Sequence, residues 1–144
     1  MKKLAAVSLA LAALVAFSVT VHAQKSKKHR VVIDVTNPAP EVWGTVLNSI
    51  QNIQKALGPE NVEIEVVGHE RGLSMVVKAA NPAMAERMQK ISATGVVFAA
   101  CENSMRHQNV TKADLFPFDV PVDSGAAELI RKQNDGWAYI KAGP

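Results

Sequence analysis

The chain has 144 residues and a formal net charge of +3, and only 5% of its residues are aromatic. Six of its 16 lysines and arginines lie in the first 30 positions, so the rest of the chain carries 10 basic residues against 13 acidic ones. The basic pI therefore does not indicate nucleic-acid binding, and the aromatic residues are too few to form base-stacking platforms.

The first 23 residues have the pattern of a secretory signal peptide. A basic start, "MKK", precedes an apolar run, "LAAVSLALAALVAFSV", and the small-residue pattern "VHA" ends at Ala23. A retained membrane anchor is the alternative, but the run is shorter than the ~20 residues that a spanning helix needs. We expect cleavage after Ala23, export to the periplasm and no membrane contact of the mature chain. Residues 24–30 would form a basic flexible start, and residues 31–144 a single α/β domain.

The first half of this domain alternates strand and helix patterns. A β-branched run at 30–35 predicts a buried strand, and residues 62–68 predict a second one. Between them, Asn37 and Pro38 resemble a helix N-cap followed by a proline in the first turn, and Gly58 ends the helix. Apolar residues recur within it at helical spacing: Val42, Val46, Ile50, Ile53 and Leu57.

A second helical pattern begins after Asn81, which also precedes a proline, and stops at Gly95. The run "VVFAA" at 96–100 predicts the third strand, and a short helix is expected to start at Asn103 or Ser104.

The end of the chain repeats the alternation. A short fourth strand around Val120 is weakened by two flanking prolines. Ser124 is placed to cap a last helix that Gly136 ends, and "WAYIKA" at 137–142 predicts a final strand at a sheet edge. Strands that alternate with helices predict an α/β fold with a mostly parallel five-stranded sheet, helices on both faces and right-handed crossovers.

Cys101, the only cysteine, follows the third strand directly. Ligands bind open α/β sheets beyond the carboxyl ends of the strands, so this thiol is expected at the functional edge. A helix that starts just after it would offer unpaired N–H groups, which lower the pKa of a thiol and favour a nucleophile or sulfur carrier. A buried inert cysteine and a pairing between chains are the alternatives.

Two segments resemble the DsrE/DsrF-like family, and in particular its exported single-domain members. They are "VVFAACENSM" and "VDSGAAELIRKQNDGWAYIKAGP", and the resemblance extends over nearly all of the mature chain. It implies a flavodoxin-like α/β fold that assembles into homo-oligomers. It also implies that a cysteine carries sulfur as a persulfide passed between proteins, a role that transfers here only to Cys101.

Further candidates lie in the loops expected at the same edge. His69 could polarise the Cys101 sulfur or bind a ligand, although a strand order of 2-1-3 would separate the ends of strands two and three by ~10 Å. The supporting candidates share this edge and are Asn37, Gly72, Asn103, Ser104 and Gly125. No tight spacing of metal ligands, phosphate loop or paired carboxylates is visible, so we expect no metal and no cofactor.

The leading hypothesis is an exported sulfur-handling protein with a persulfide on Cys101. Its partners would be a second copy of the chain and a sulfur donor or acceptor, either a protein or a small sulfur species. The alternative is a non-catalytic oligomeric module that binds a small ligand or partner and buries its cysteine. A turnover enzyme is the third hypothesis, after the carrier and the binding module, because no acid–base pair is apparent; if enzymatic, the protein would be sulfurtransferase-like.

Overall fold

The structure is a computed structural model that describes residues 28–143. The predicted signal peptide at 1–23, most of the predicted basic start and the last residue lie outside the described residues. Within residues 28–143, no helix is both long and apolar enough to cross a membrane.

Five parallel strands form one sheet in the order β4-β3-β2-β1-β5. Their bounds are His29–Val35 for β1, Val62–Gly68 for β2, Val97–Cys101 for β3, Asp119–Val122 for β4 and Ala138–Lys141 for β5. The predicted α/β class is confirmed, with an arrangement consistent with a flavodoxin-like fold. The strand order 2-1-3, on which the ~10 Å separation rested, is wrong, because β2 pairs directly with β3.

Four α-helices connect the strands: α1 at Pro40–Leu57, α2 at Ala85–Ser92, α3 at Glu102–His107 and α4 at Gly125–Asn134. From β1 to β4 each crossover moves one strand in the same direction, so right-handed connections place the intervening helices on one face. The last crossover returns from one edge of the sheet to the other. Helix α4 therefore packs on the opposite face, where it contacts β1, β2, β3 and β5.

The two faces differ strongly in their apolar content. On the face of α1, alternate strand residues such as Ile33, Val66 and Phe98 join Trp43 and Leu47 in a large buried cluster. On the face of α4, the buried apolar cluster consists of four side chains: Val32, Val67, Ala99 and Leu129. The second face therefore leaves room for polar groups between helix and sheet.

The predicted bounds of α4 agree with the structure, and the starts of the other three helices differ. Helix α2 begins at Ala85, after a 3-10 turn at Pro82–Met84, and the Asn81 side chain makes no cap hydrogen bond. Ser124 caps α4 by accepting a hydrogen bond from the Ala127 N–H. Asn37 is not the N-cap of α1; the cap position is Ala39 and Pro40 opens the helix, because the Asn37 side chain accepts the Ala39 N–H in a turn before it. Helix α3 begins one or two residues earlier than expected, with Cys101 itself at the N-cap.

Candidate functional site

Cys101 is the last residue of β3 and also the N-cap of α3. Its side chain emerges on the α4 face of the sheet, since Ala99 of the same strand points there. The sulfur accepts a hydrogen bond from the Ser104 N–H at 3.4 Å. The residue is only 4% exposed, so the thiol lies inside the fold and not on an open surface.

A second helix start approaches the same sulfur. Helix α4 begins at Gly125, and an added Cβ there would lie 3.3 Å from the Cys101 Cβ and 2.6 Å from the His69 Cβ. The Gly125 backbone can therefore reach the sulfur only because the residue has no side chain. The polar groups that surround the thiol come from both helix starts.

These groups control the ionisation of Cys101. Burial raises the pKa of the thiol, but hydrogen bonds from the Ser104 side chain and from the backbone N–H groups of Gly125, Ser104 and Asn103 outweigh it. The pKa of Cys101 is consequently lowered, which favours the thiolate, the nucleophilic form.

His69 lies beside Cys101. Strands β2 and β3 pair Gly68 with Ala100 in register. The residues that follow, His69 and Cys101, therefore lie next to each other at the carboxyl ends of the two strands. The hydrogen bond to Asp34 is the main cause that raises the pKa of His69, and burial opposes it. The contact with Asp34 therefore favours the protonated imidazole next to the thiol. A role of His69 in polarising the Cys101 sulfur stays a prediction.

Asp34 and Tyr139 extend the site across the sheet. The Asp34 Oδ1 is 2.7 Å from the His69 Nε2, and the Tyr139 hydroxyl donates to Asp34 Oδ2 at 2.6 Å. Burial would raise the pKa of Asp34, but the hydrogen bonds from His69 and Tyr139 lower it overall. Four neighbouring strands thus contribute one row of side chains: Cys101 at the end of β3, His69 directly after β2, Asp34 in β1 and Tyr139 in β5.

Of the other residues predicted for the site, one lies beside the Cys101 sulfur and two do not. Ser104 adjoins the sulfur, and its hydroxyl also accepts the Glu70 N–H at 2.8 Å. Gly72 serves the fold, because an added Cβ would lie 2.1 Å from the Val35 carbonyl oxygen. Asn37 makes its hydrogen bonds at the start of α1 and not with the sulfur.

Asp34 and Tyr139 were not among the residues predicted from the sequence. Asp34 is the one acidic residue in the apolar run "RVVIDV", and a lone carboxylate in a buried strand is a usable signal. Its partners lie 35 and 105 positions away, so no local pattern could identify them.

Residues 28–143 contain no cluster of three or more His, Cys, Asp or Glu side chains placed to hold a metal ion.

Comparisons with known proteins agree with this architecture. A solved protein of unknown function from Methanobacterium thermoautotrophicum is similar, with 27% identity and a TM-score of 0.74 over 79% of this chain and 99% of that one. No curated protein matches the chain significantly. A sequence model of the DsrE/DsrF-like family matches residues 29–142, almost the whole described region. The chain therefore belongs to the DsrE/DsrF-like family, which is generally linked to sulfur relay.

Proposed function

We propose that this protein carries sulfur as a persulfide on Cys101. The observation that carries the proposal is the set of hydrogen-bond donors around the sulfur, which lowers the pKa of the only thiol in the chain. A core cysteine among apolar groups would have its pKa raised instead. Membership of a family linked to sulfur relay supports this chemistry.

The transfer step needs no oxidant. The Cys101 thiolate attacks the outer sulfur of a donor persulfide, the sulfur–sulfur bond of the donor breaks, and the donor leaves as a thiolate. Cys101 then holds the persulfide, with its proton on the outer sulfur or released to solvent. An acceptor thiolate takes that outer sulfur by the same step in reverse, and Cys101 returns to the thiolate. The N–H donors around Cys101 stabilise its sulfur anion before and after each transfer.

The burial of Cys101 favours the second candidate function, a binding module with an inert cysteine. At 4% exposure, a donor cannot reach the sulfur without movement of the groups that cover it. The carrier proposal therefore requires that the native protein opens at this site on the timescale of sulfur transfer.

Mass spectrometry of the intact protein separates the two functions. The protein is incubated with inorganic polysulfide and compared with Cys101→Ser, the matched control in a chain that has one cysteine. The carrier proposal expects a mass increase of one sulfur atom in the native protein and none in the variant. An unmodified native protein, or an equal increase in both proteins, contradicts it and leaves the binding module.

We also propose export through a cleaved signal peptide. The support is the sequence of residues 1–23, with its basic start, apolar run and "VHA" ending. Expression of the full chain in a diderm bacterium, followed by N-terminal sequencing of the periplasmic fraction, should give a first residue of Gln24. Full-length protein retained in the membrane fraction would support an uncleaved anchor.

Self-association is proposed through β5. This strand lies at a sheet edge, and all four of its residues are exposed. Ile140 is 41% exposed and borders a groove of about 350 Å³ between β5 and α1. An unpaired edge beside apolar surface is a natural place for a second copy.

Light scattering after gel filtration tests this assembly. Ile140→Lys should reduce the mass to that of one chain, whereas Ile130→Lys, at a 59% exposed position of α4, should not. A native protein that is monomeric at tens of micromolar, or equal effects of both substitutions, would contradict the assignment to β5.

A further inference from the structure

We propose that Asp34 is a positioning residue for Cys101 that acts through His69, and that Tyr139 fixes the Asp34 carboxylate. The inference rests on the proposed reactivity of Cys101 and adds the groups that set the charge beside its sulfur. The row of contacts crosses four neighbouring strands and ends at an exposed edge of the sheet.

The Asp34 carboxylate has a fixed geometry. The residue is 6% exposed and lies in the interior of the sheet. Each carboxylate oxygen has its own partner, Oδ1 with His69 and Oδ2 with Tyr139. A carboxylate held at both oxygens on a rigid strand orients its histidine more precisely than a loop residue could.

The Asp34 carboxylate acts on His69. With Nε2 turned to an anionic carboxylate, the imidazole is stabilised in its protonated form. The adjacent end of β3 carries Cys101, and a Cβ added at Gly125 would meet the Cβ atoms of both His69 and Cys101. A positive imidazolium in that position favours the thiolate over the thiol.

A purely structural role explains the arrangement less well. A buried ion pair contributes little net stability compared with apolar residues of similar size. Residues 31–35 of the strand are β-branched and apolar apart from Asp34, so an apolar side chain would fit their pattern. This position instead holds the Asp34 carboxylate, on the strand next to that of His69, and His69 adjoins Cys101, the only thiol.

Other charged groups near the row come from several elements. Lys141 of β5 pairs in register with Asp34, and Glu70 follows His69 directly. Glu102, next to Cys101, lies 3.9 Å from the Lys112 amine. The first turn of α4 carries one charged side chain, Glu128, which pairs with Arg131 and Lys132. Among these groups, Asp34 and His69 form a buried pair, with side chains 9% and 11% exposed.

The test is the pH dependence of iodoacetamide labelling at Cys101, which reports the thiolate fraction whether or not the protein carries sulfur. Asp34→Asn leaves His69 neutral near pH 7 and should raise the labelling midpoint by about 1 pH unit. His69→Gln should raise it by a similar amount. Glu63→Gln is the matched control, because it removes an exposed carboxylate of β2 that pairs with Lys28, and it should leave the midpoint unchanged.

The double variant separates an indirect from a direct effect. If Asp34 acts through His69, adding Asp34→Asn to His69→Gln causes no further rise. A direct field effect has the opposite sign, because loss of a nearby negative charge lowers the pKa of a thiol. An unchanged or lowered midpoint in the single Asp34→Asn variant overturns the proposal.

A second measurement does not depend on the folding of these variants. The imidazole of His69 is titrated by NMR in the native protein and in Cys101→Ser. Coupling between the two groups requires a lower His69 midpoint in the variant, because the neighbouring thiolate is gone. Equal midpoints overturn the proposal. If the labelling and titration midpoints shift as expected but polysulfide leaves the native protein unmodified, only the carrier function is rejected.

Discussion

At Cys101, burial and hydrogen bonding act on the thiol in opposite directions, and the hydrogen bonds prevail. The donors belong to chain segments that meet only in the folded protein: the start of α3 and the start of α4. The same opposition occurs at Asp34, where burial is outweighed by His69 and Tyr139. Hydrogen bonds therefore favour the charged forms of Cys101 and Asp34, whereas the phenol of Tyr139 stays neutral as the donor to Asp34.

Tyr139 provides a direct optical measurement of the Asp34 contact, because it is the only tyrosine in the chain. The hydrogen bond to Asp34 raises the pKa of Tyr139 to about 12. An ultraviolet titration of the phenol should therefore show ionisation only in strongly alkaline solution. In Asp34→Asn the midpoint should fall toward the usual value of about 10, since the anionic acceptor is gone.

The control for this titration is Glu63→Gln, which should keep the native midpoint. A native midpoint near 10, or the same midpoint in Asp34→Asn, would show that the Tyr139 hydroxyl does not bind Asp34 in solution.

Gly125 predicts a steric effect at the residue scale. In Gly125→Ala the new methyl group would lie 2.6 Å from the His69 Cβ, so the start of α4 must move away from the sheet. We expect a loss of about 2 kcal/mol in the free energy of unfolding. The labelling midpoint of Cys101 should also rise, because the Gly125 N–H leaves the sulfur.

Gly44→Ala is the matched comparison. This glycine lies inside α1, and an added Cβ would meet only the Met84 Cε at 3.8 Å. Alanine should raise the free energy of unfolding there by about 1 kcal/mol through helix propensity. Urea unfolding checks both variants, and a Gly125→Ala protein as stable as the native one would contradict the close packing.

At the scale of elements, α4 is the helix that covers the site. Its apolar contact with the sheet centres on Leu129, and next to it lies a partly buried ion pair between Lys132 and Glu65 at 2.5 Å. Burial raises the pKa of Glu65, and its Oε1 has no hydrogen-bond partner among the described residues. A helix held by such contacts should open more easily than α1, which packs on the large core.

Lys132→Met should therefore expose Cys101 more often. The substitution leaves Glu65 buried without its partner, which weakens the closed state of α4. We expect the native-state labelling rate at pH 7 to rise about tenfold or more, which corresponds to a decrease of about 1.4 kcal/mol in the free energy of opening. The measurement is the rate of thiol labelling without denaturant.

Lys90→Met controls for the loss of a helical lysine, because Lys90 forms an exposed ion pair with Glu86 four residues away, the same spacing as Lys132 and Glu128. The Lys90→Met variant should be labelled at the same rate as the native protein. The double variant Glu65→Leu and Lys132→Met removes both charges and should return to slow labelling. Equal rates in all three proteins would mean that α4 does not gate access to the thiol.

The sequence predicts an element well when the interactions that define it join residues that are close in sequence. Ser124 and Gly136 act within one helical turn, so the bounds of α4 follow from local pattern. Cys101 at the end of β3 was predicted for the same reason. The strand order and the contact of Asp34 with Tyr139 depend on pairings between distant segments, which a single sequence does not specify.

At the scale of the whole molecule, one face of the sheet supplies apolar packing and the other carries most of the charged chemistry. The large core lies on the α1 face, and the row from Cys101 to Tyr139 lies on the α4 face. On the first face, burial raises the pKa of Asp119, the partner of Phe98 in register, from 3.8 to about 7, so stability should fall through this face as the pH rises between these values. Through the second face it should depend on the ionisation of the Asp34 and His69 pair.

The last prediction concerns the difference in free energy of unfolding between the native protein and His69→Gln. The pKa of His69 is raised above its unfolded value near 6.5, so the stabilisation by its charge is complete below pH 6.5 and is lost as the pH rises through the folded value. The pKa of Asp34 is lowered below 3.8, so its contribution is complete above pH 3.8 and is lost as the pH falls through its folded value. The pair should stabilise the folded protein most between about pH 4 and 6.5.

We expect the difference in free energy between the native protein and His69→Gln, measured by urea unfolding, to be about 1 kcal/mol larger at pH 5.5 than at pH 8.5, since a charge-assisted hydrogen bond becomes a weaker one. Glu86→Gln, at an exposed ion pair, should show the same difference at both pH values. A His69→Gln difference that is flat or larger at pH 8.5 would mean that His69 is not charged in the folded protein.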